Sequence, residues 1–523
     1  MKLNKRYVPA ALSVLLPAAV VMSACSASKG TDKPAGDGSD ASKSANARTI
    51  TVMRSDSSIQ PVLKDSPALK QILAKTNVKI NMEGVPSSDY EAKKKTLIAT
   101  NNIPDVLHVT RADITNYAGT GIFLNLSPLI DQYAPNFKKR LEAEPEANKL
   151  KIDGSLYGFP IMARKSVAAN VGSFPMIRTD ILQELNLPTP TTFEELYEVL
   201  KAVKKAYPDS YPWTMRSGSQ YNLRFLAYAF GSGFSIYYEP KQDKYLYGPA
   251  HPEFKEAIAY LAKLYKEKLL DPNFTNLTAQ QWQQNLSSGK SVFFYDNYTF
   301  AVNFNAALKQ ANPKAKFDML PLFKNSAGHK RNYMDNPSSF NSYAISSKIK
   351  NPEEIVKMFD WMYSDEGADI TNFGVPGEHF TRSGDKVTIS QSLLDQFKDK
   401  QDPYRAMQSF LGTGLLAFST FTDDTPMLTI SPPELKQWSD TVKQQKDRKE
   451  VVEKPLDPPF NAEEIEKLKQ LTTKVDTVVT QNIDKFILGS RPLSELDAFA
   501  KEVAASGSGE IEDIYNKAWS RMK

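Results

Sequence analysis

The chain of 523 residues contains one cysteine, Cys25, and four histidines. A single thiol excludes intrachain disulfides and thiolate zinc sites, and its place near the amino terminus leaves no Cys nucleophile in the body of the chain. His108, His251, His329 and His379 form neither an H-E-x-x-H nor an H-x-H pair, so no metal site is expected from them. No G-x-S-x-G elbow and no G-x-x-x-x-G-K-[ST] phosphate loop occurs, and Gly412-Thr413-Gly414 lacks the preceding strand that a dinucleotide fingerprint requires. No cofactor is expected. Charge of one sign is also missing: 65 Lys and Arg against 60 Asp and Glu give +5, too balanced to neutralise a nucleic-acid backbone. What is present, 41% hydrophobic, 24% charged and 11% aromatic residues, is the composition of a folded globular body, and the length suits two or three domains.

Lys2, Lys5 and Arg6 precede an apolar run from Ala10 to Met22, too short to span a bilayer comfortably, and the small Ser23 and Ala24 lead to Cys25. Residues 1–24 read as a signal peptide. Met22-Ser23-Ala24-Cys25 resembles a bacterial lipobox, whose cysteine is acylated and becomes the first residue of the mature chain; a plain secretory signal with an incidental cysteine is the alternative. Cleavage before Cys25 would remove three cations and take the formal charge from +5 to +2. Residues 25–48 are rich in Ser, Gly, Asp, Ala and Lys and lack aromatic side chains, so they read as a flexible tether. A leash behind a lipid suits a protein that works at the extracellular face of the cell membrane.

Thr49-Ile50-Thr51-Val52-Met53, the alternating Val78, Ile80 and Met82, and Pro104-Asp105-Val106-Leu107-His108-Val109 read as strands, with helices around Ala68 to Lys75 and from a Ser88 cap through Thr100. This β-α-β-α-β order implies a parallel sheet covered on both faces, with ligand crevices at the carboxyl ends of its strands. Further on, Thr192 opens a helix to about Ala206, Tyr245 to Pro249 end a hairpin, and Phe254, Ile258, Leu261, Leu264 and Leu269 mark one buried helix face. The apolar strand from Gly289 delivers Asp296 and Asn297 at its end, and the chain beyond Asn461 is mostly helical.

Arg178-Thr179-Asp180, Pro190-Thr191-Thr192-Phe193-Glu194-Glu195, Tyr247-Gly248-Pro249, Leu270-Asp271-Pro272, Phe294-Tyr295-Asp296-Asn297 and Asp360-Trp361-Met362-Tyr363-Ser364-Asp365-Glu366-Gly367 carry, in this order and spacing, a family resemblance. The chain resembles the extracellular solute-binding lipoproteins of carbohydrate ABC importers, of the large Gram-positive type. The resemblance implies an α/β, two-lobed, periplasmic-binding-protein-like fold of class II with the ligand cleft between its lobes. Residues 49–168 with 337–430 would form the first lobe and 169–336 with 431–523 the second. It implies a monomeric, lipid-anchored binding subunit that captures an oligosaccharide and delivers it to permease subunits; it does not imply an enzyme. Several relatives carry an Asp/Asn/Gly-rich calcium loop after the helix that ends here near Ala206, where this chain has only Tyr207-Pro208-Asp209-Ser210-Tyr211-Pro212, so no calcium is expected. Where relatives commonly place Glu, in the segment Gly374 to Phe380, this chain has Pro376.

A sugar needs aromatic faces for its C–H surfaces and planar polar groups for its hydroxyls. The candidate contacts are Tyr157 and Arg164 at the first crossover, Tyr343 at the second with Ser339 and Phe340, Trp213 with Arg216 three residues on, Trp282, Asp296 with Asn297, and His379. Each has a second reading: Trp213 as core, Trp282 as surface or hinge, Asp296 and Asn297 as caps of the next helix. Arg111, Arg164, Lys165, Arg216 and Arg224 would suit a uronate, or would simply be surface cations or partners of nearby acids. Two carboxylates across a cleft would instead suit an extracellular polysaccharide hydrolase or lyase, and a non-transport sensor or adhesin is a third reading. For the anchor, Cys25→Ala is expected to block processing, and mass spectrometry of the wild type should find lipid on Cys25; cleavage of the variant at the same bond with no lipid on the wild type would exclude it.

Overall fold

The strands that position the site are, in chain order, β1 (Arg48–Asp56), β2 (Val78–Pro86), β3 (Val106–Val109), β4 (Phe159–Pro160), β5 (Ser173–Arg178), β6 (Phe293–Asn297), β7 (Phe317–Met319), β8 (Asn332–Met334), β9 (Ser342–Ile345) and β10 (Val451–Glu453). The helices used below are α1 (Pro67–Thr76), α2 (Ser87–Ala99), α3 (Arg111–Tyr117), α4 (Gly218–Phe230), α5 (Ala279–Ser287), α6 (Glu353–Tyr363), α7 (Ala462–Ile487) and α8 (Ser508–Ser520). This computed structural model describes residues 47–57, 60–163, 172–334, 341–400, 403–414, 417–421 and 432–522. The expected signal peptide, Cys25, most of the tether, Arg164, Lys165, Ser339 and Phe340 lie outside the described residues.

Two sheets organise the chain. The first has the order β2-β1-β3-β9-β4. Its central strands β1, β3 and β9 bury apolar residues on both faces, while β2 at the edge alternates buried Val78, Ile80 and Met82 with exposed Lys79 and Asn81. Ile50, Val52 and Val106 join one buried cluster with Leu69 and Ile72 of α1 and Ile355 and Phe359 of α6. Met53 and Leu107, one residue on, point the other way, into a cluster with Tyr90 and Ile98 of α2 and Ile114 of α3. Period-two alternation thus feeds two layers of helix, as a sheet covered on both sides requires. The second sheet, β7-β5-β6, works in the same way: Phe293 and Tyr295 enter one core and Phe294 the other.

The three strands of the β-α-β-α-β unit are parallel as the sequence implies, but the sheet they start is mixed. β1 pairs in parallel with β2 and β3, but β9 pairs antiparallel with β3, Ala344 opposite Leu107, and the second sheet is antiparallel throughout. The cause is the route of the chain: β9 follows the second sheet and its helices, entering the first sheet from the opposite end instead of through a local crossover helix. A smaller correction concerns α2, which starts at Ser87 behind Pro86 with no side-chain cap, while Ser88 Oγ donates to Asp89 instead. The hairpin (Ile236–Glu239 with Lys244–Tyr247) and the buried face of Phe254, Ile258, Leu261 and Leu264 match the sequence reading.

Connections leave one edge of each sheet. Ser173, the first residue of β5, is paired with Asn297, the last of β6, and Ser342, the first of β9, with Val109, the last of β3. The carboxyl edge of β1–β3 and the Asn297 edge of the second sheet are therefore the edges from which the linking chain runs. Gly172 precedes β5 with φ +146°, and a Cβ there would stand 2.7 Å from Met334, so only glycine lets these neighbouring segments approach. A third link follows β10, which pairs in parallel with β8: Leu456 packs against the core of the first sheet, and its N–H donates to Glu146 at 3.2 Å.

The carboxyl-terminal helix α8 is pinned by Glu512, which accepts from the Tyr247 N–H at 2.6 Å and faces His251 Nε2 at 2.9 Å. The hydrogen bond to Glu512 raises the His251 pKa above its ordinary value, against the opposing effect of burial. A raised histidine stabilises the fold fully below about pH 6.5 and loses that contribution as pH climbs through the folded value. The melting temperature is expected to fall between pH 6 and pH 8 by a margin that shrinks in Glu512→Gln; an unchanged pH dependence in that variant would remove His251 as the cause.

Candidate functional site

The site begins with a register. Residues 213 and 214 lie along the free edge of β6: Trp213 makes parallel bridges to Phe293 and to Leu270, and Thr214 N–H donates to the Phe293 carbonyl. In a parallel register, residues equally far along face each other, and Arg216 and Asp296 each lie three positions beyond the Trp213–Phe293 pair. They meet: Arg216 Nε donates to Asp296 Oδ2 at 2.7 Å and Nη2 to Oδ1 at 3.1 Å. Asn222 on the first turn of α4 holds the Arg216 carbonyl through Nδ2 at 2.8 Å, and the Tyr221 hydroxyl completes the cluster, accepting from Nη2 at 2.9 Å and donating to Asp296 at 3.3 Å.

Three aromatic rings surround the guanidinium. Its carbon lies 4.8 Å from the Tyr221 ring centre, 5.2 Å from Phe300 and 5.3 Å from Trp282, within cation–π range of each. Burial alone would lower the Arg216 pKa, yet the Asp296 carboxylate outweighs it and the pKa is raised; burial, then Asp296, pushes the Tyr221 hydroxyl up to about 12. Both groups keep their protons throughout the physiological range. Asp296 is 2% exposed, whereas the Arg216 side chain keeps 19% of its surface. The cluster stands at the Asn297 edge of the second sheet, the edge from which the connections to the first sheet leave.

The structure brings together four sequence candidates: Arg216, Trp282, Asp296 and Asn297. Within the group the roles differ from those expected. Trp282 is 1% exposed and meets Phe294, Phe300 and Phe304 edge to face, so it supports the cluster from below and is neither surface nor hinge. Asn297 Oδ1 accepts from Thr299 N–H at 3.0 Å and caps the turn after β6.

The remaining candidates lie elsewhere. Trp213 is 1% exposed, edge to face with Phe293 at 4.6 Å inside the core of the second sheet; the stacking role expected of it gives way to packing, because Phe293, Tyr260 and the rest of that cluster cover its ring. Tyr343 is fully buried in the first sheet, accepting from Arg54 Nη1 at 2.7 Å and donating to the Ala417 carbonyl at 3.0 Å. Its ring stacks on Phe418, which makes it a brace and not a contact. His379 is also buried; its Nδ1 accepts from Val375 N–H at 3.0 Å, and burial lowers its pKa, so a neutral ring closes that turn. Tyr157 is half-buried beside Gly158, Ser342 and Arg111 in a small recess. Sequence reasoning missed Tyr221 and Phe300, although Tyr221 follows Arg216 by five residues and Phe300 follows Asn297 by three. Among the described residues no group of three His, Cys, Asp or Glu is arranged to hold a metal ion.

Two α/β lobes, each with its own core, facing each other across sheet edges joined by the crossing chain, define a two-lobed binding protein. The sequence profile of the bacterial extracellular solute-binding proteins matches residues 54–369, and the chain belongs to that family. It is 25% identical over 352 residues to the fructooligosaccharide ABC transporter substrate-binding protein FusA of Streptococcus pneumoniae, covering 63% of this chain and 64% of that one, under two thirds of the relative's length. It is 24% identical over 469 residues to the polygalacturonan/rhamnogalacturonan-binding protein YtcQ of Bacillus subtilis, covering 87% and 88%. Among solved structures, the alginate-binding protein AlgQ2 without calcium ion superposes with a TM-score of 0.77 at 22% identity, covering 91% of this chain and 99% of that one. FusA of S. pneumoniae in complex with kestose gives 0.72 at 21% identity with the same coverage. At these identities the structural likeness shows the fold.

The position of Trp213 generates a test. Trp213→Ala is expected to cost about 3–5 kcal/mol of stability in urea denaturation, as truncation of a buried aromatic does, while Trp213→Phe keeps the affinity for any bound saccharide. A loss of affinity in Trp213→Phe without loss of stability would restore the ring to the binding site.

Proposed function

We propose that this protein is the substrate-binding subunit of a carbohydrate ABC importer, held by a lipid on Cys25 at the extracellular face of the cell membrane, and that it captures an oligosaccharide between its lobes without altering it chemically. The observation that carries this reading is the Arg216–Asp296 pair, ringed by Tyr221, Phe300 and Trp282 at the edge facing the other lobe. The pair is set before any ligand arrives. Arg216 Nη1, which takes no part in the bonds to Asp296 and Tyr221, is a donor of fixed direction for a sugar hydroxyl, and neighbouring rings offer faces for sugar C–H bonds. The names of FusA and YtcQ support a saccharide as the ligand, and the name of a third relative, the lipoprotein LipO of Bacillus subtilis, 26% identical over 360 residues, supports the anchor.

Closure around the ligand is the working motion, with residues 49–168 and 337–430 moving against 169–336 and 431–523 about the connecting segments. A ligand that touches both lobes favours the closed form by its extra contacts there. The nine candidates of the sequence reading reduce to Arg216, supported by Asp296, Asn297 and Trp282, with Tyr157 on the facing lobe; Arg164 stays a candidate on sequence grounds.

A thermal-shift panel of oligosaccharides tests this function. A ligand at ~100 times its dissociation constant should stabilise the protein by about 2.7 kcal/mol. Arg216→Ala should abolish the shift, and small-angle scattering should show a smaller radius of gyration on saturation. Saccharide products that accumulate over many turnovers would replace the binding reading with an enzymatic one.

A further inference from the structure

The helix Phe193–Ala206 ends in a loop, Tyr207 to Pro212, that is fastened by a charge of its own chain. Lys204, in the last turn of the helix, is half-buried, and its ammonium donates to the Pro208 carbonyl at 2.7 Å and to the Ser210 carbonyl at 2.6 Å. Both are the short bonds of an ionised donor. Ser210 closes the turn from inside: its N–H and its hydroxyl donate to the Tyr207 carbonyl at 3.0 and 2.7 Å. The chain then leaves along β6. The Tyr211 N–H donates to the Lys290 carbonyl at 3.0 Å, and the Pro212 carbonyl accepts from the N–H groups of Val292 and Phe293. Arg216 follows directly on this stretch, so the segment that carries it starts from a loop that Lys204 holds.

Carbonyl oxygens that converge on a positive charge in a short loop are also the ligands a hard metal ion takes, and several relatives carry their calcium loop at this point of the chain. The residues here do not fit such an ion. Calcium takes about six to eight oxygens. The Pro208 and Ser210 carbonyls already accept from Lys204, the Tyr207 carbonyl accepts from Ser210, and Asp209, the loop's single carboxylate, is exposed. A second ammonium stands close by: Lys290 Nζ lies 4.7 Å from the centre of the Tyr211 ring, and Lys204 Nζ lies 5.5 Å from the same centre. Two ammonium groups gathered on one ring repel a divalent cation that approaches it.

We propose that the Lys204 ammonium is the resident cation of this loop and does there what a bound ion does for a calcium loop: it neutralises converging carbonyl dipoles and fixes the exit of the helix onto the edge of β6. The second lobe is held in this way without a divalent metal. The proposal concerns the lobe that carries Arg216 whatever ligand that lobe receives, so it stands apart from the saccharide reading.

The full-length mature protein is melted in excess calcium chloride and in excess chelator, and is titrated calorimetrically with calcium chloride alone. The two melting temperatures are expected to coincide, and the titration to give no heat beyond dilution. Lys204→Met keeps an apolar stem and removes the charge; its melting temperature should fall by about 2–4 °C in both media. Hydrogen exchange at the Tyr211 amide should become faster in that variant, while the amides of β5 keep their wild-type rates. Lys204→Arg, which retains the charge and several donors, should recover most of both losses. A calcium-dependent rise in the wild-type melting temperature that Asp209→Asn removes overturns the proposal, because it puts a metal ion in the loop. A Lys204→Met protein that melts and exchanges as the wild type does overturns it as well.

Discussion

A guanidinium or ammonium that leaves water loses hydration that a carboxylate can replace, and four such pairs organise the interior of both lobes. Arg216 and Asp296 form one at the site; Arg178 with Asp180, Arg331 with Glu239, and Lys94 with Asp113 form the others elsewhere. Lys94 is the sharpest case. It is fully buried on α2, and its ammonium lies 2.6 Å from Asp113, which also accepts from the Thr110 N–H and hydroxyl at the start of α3. One carboxylate therefore neutralises a buried charge and caps the helix that carries Arg111.

The same constraint explains why the near-balanced charge of the chain was informative and the choice among its cations was not. Sequence counts the arginines; it does not say which of them have spent their charge on a neighbour. The sequence left Arg216 as a uronate contact, a surface cation or the partner of a nearby acid, and its partner stands 80 residues further along the chain. The pairing follows from Trp213 lying in register with Phe293. A strand spacing shows an alternation, but not the strand it lies beside, so the offset between two segments is set by tertiary packing.

The lobes were legible for a related reason. The β-α-β-α-β order from Thr49 to Val109 and the apolar run into Asp296 are local patterns, and local patterns survive folding. The direction of β9 did not show in the sequence, because it depends on where the chain re-enters the first lobe after 160 residues of another body. The aromatic residues misled most. Trp213, Trp282 and Tyr343 were candidates because sugars need rings, but a chain of two lobes has several cores to fill before it can expose a ring. All three proved to be less than 2% exposed, and the rings nearest Arg216 that the sequence overlooked, Tyr221 and Phe300, are only partly buried.

The third link ties these observations to motion. Arg111 of the first lobe holds the carbonyls of Lys149 and Asp457 together, so residue 457, within the 431–523 segment proposed for the second lobe, is tied to the first lobe instead. Four residues on, Asn461 and Glu464 cap α7 reciprocally, and Arg521 clasps Glu464 at 2.7 and 2.6 Å, so the start of α7 moves with the second lobe. Only Pro458, Pro459 and Phe460 lie between the two anchors, and two consecutive prolines resist changes in φ. In the closure proposed above, rotation of the lobes is absorbed within these three residues and at the two other crossings.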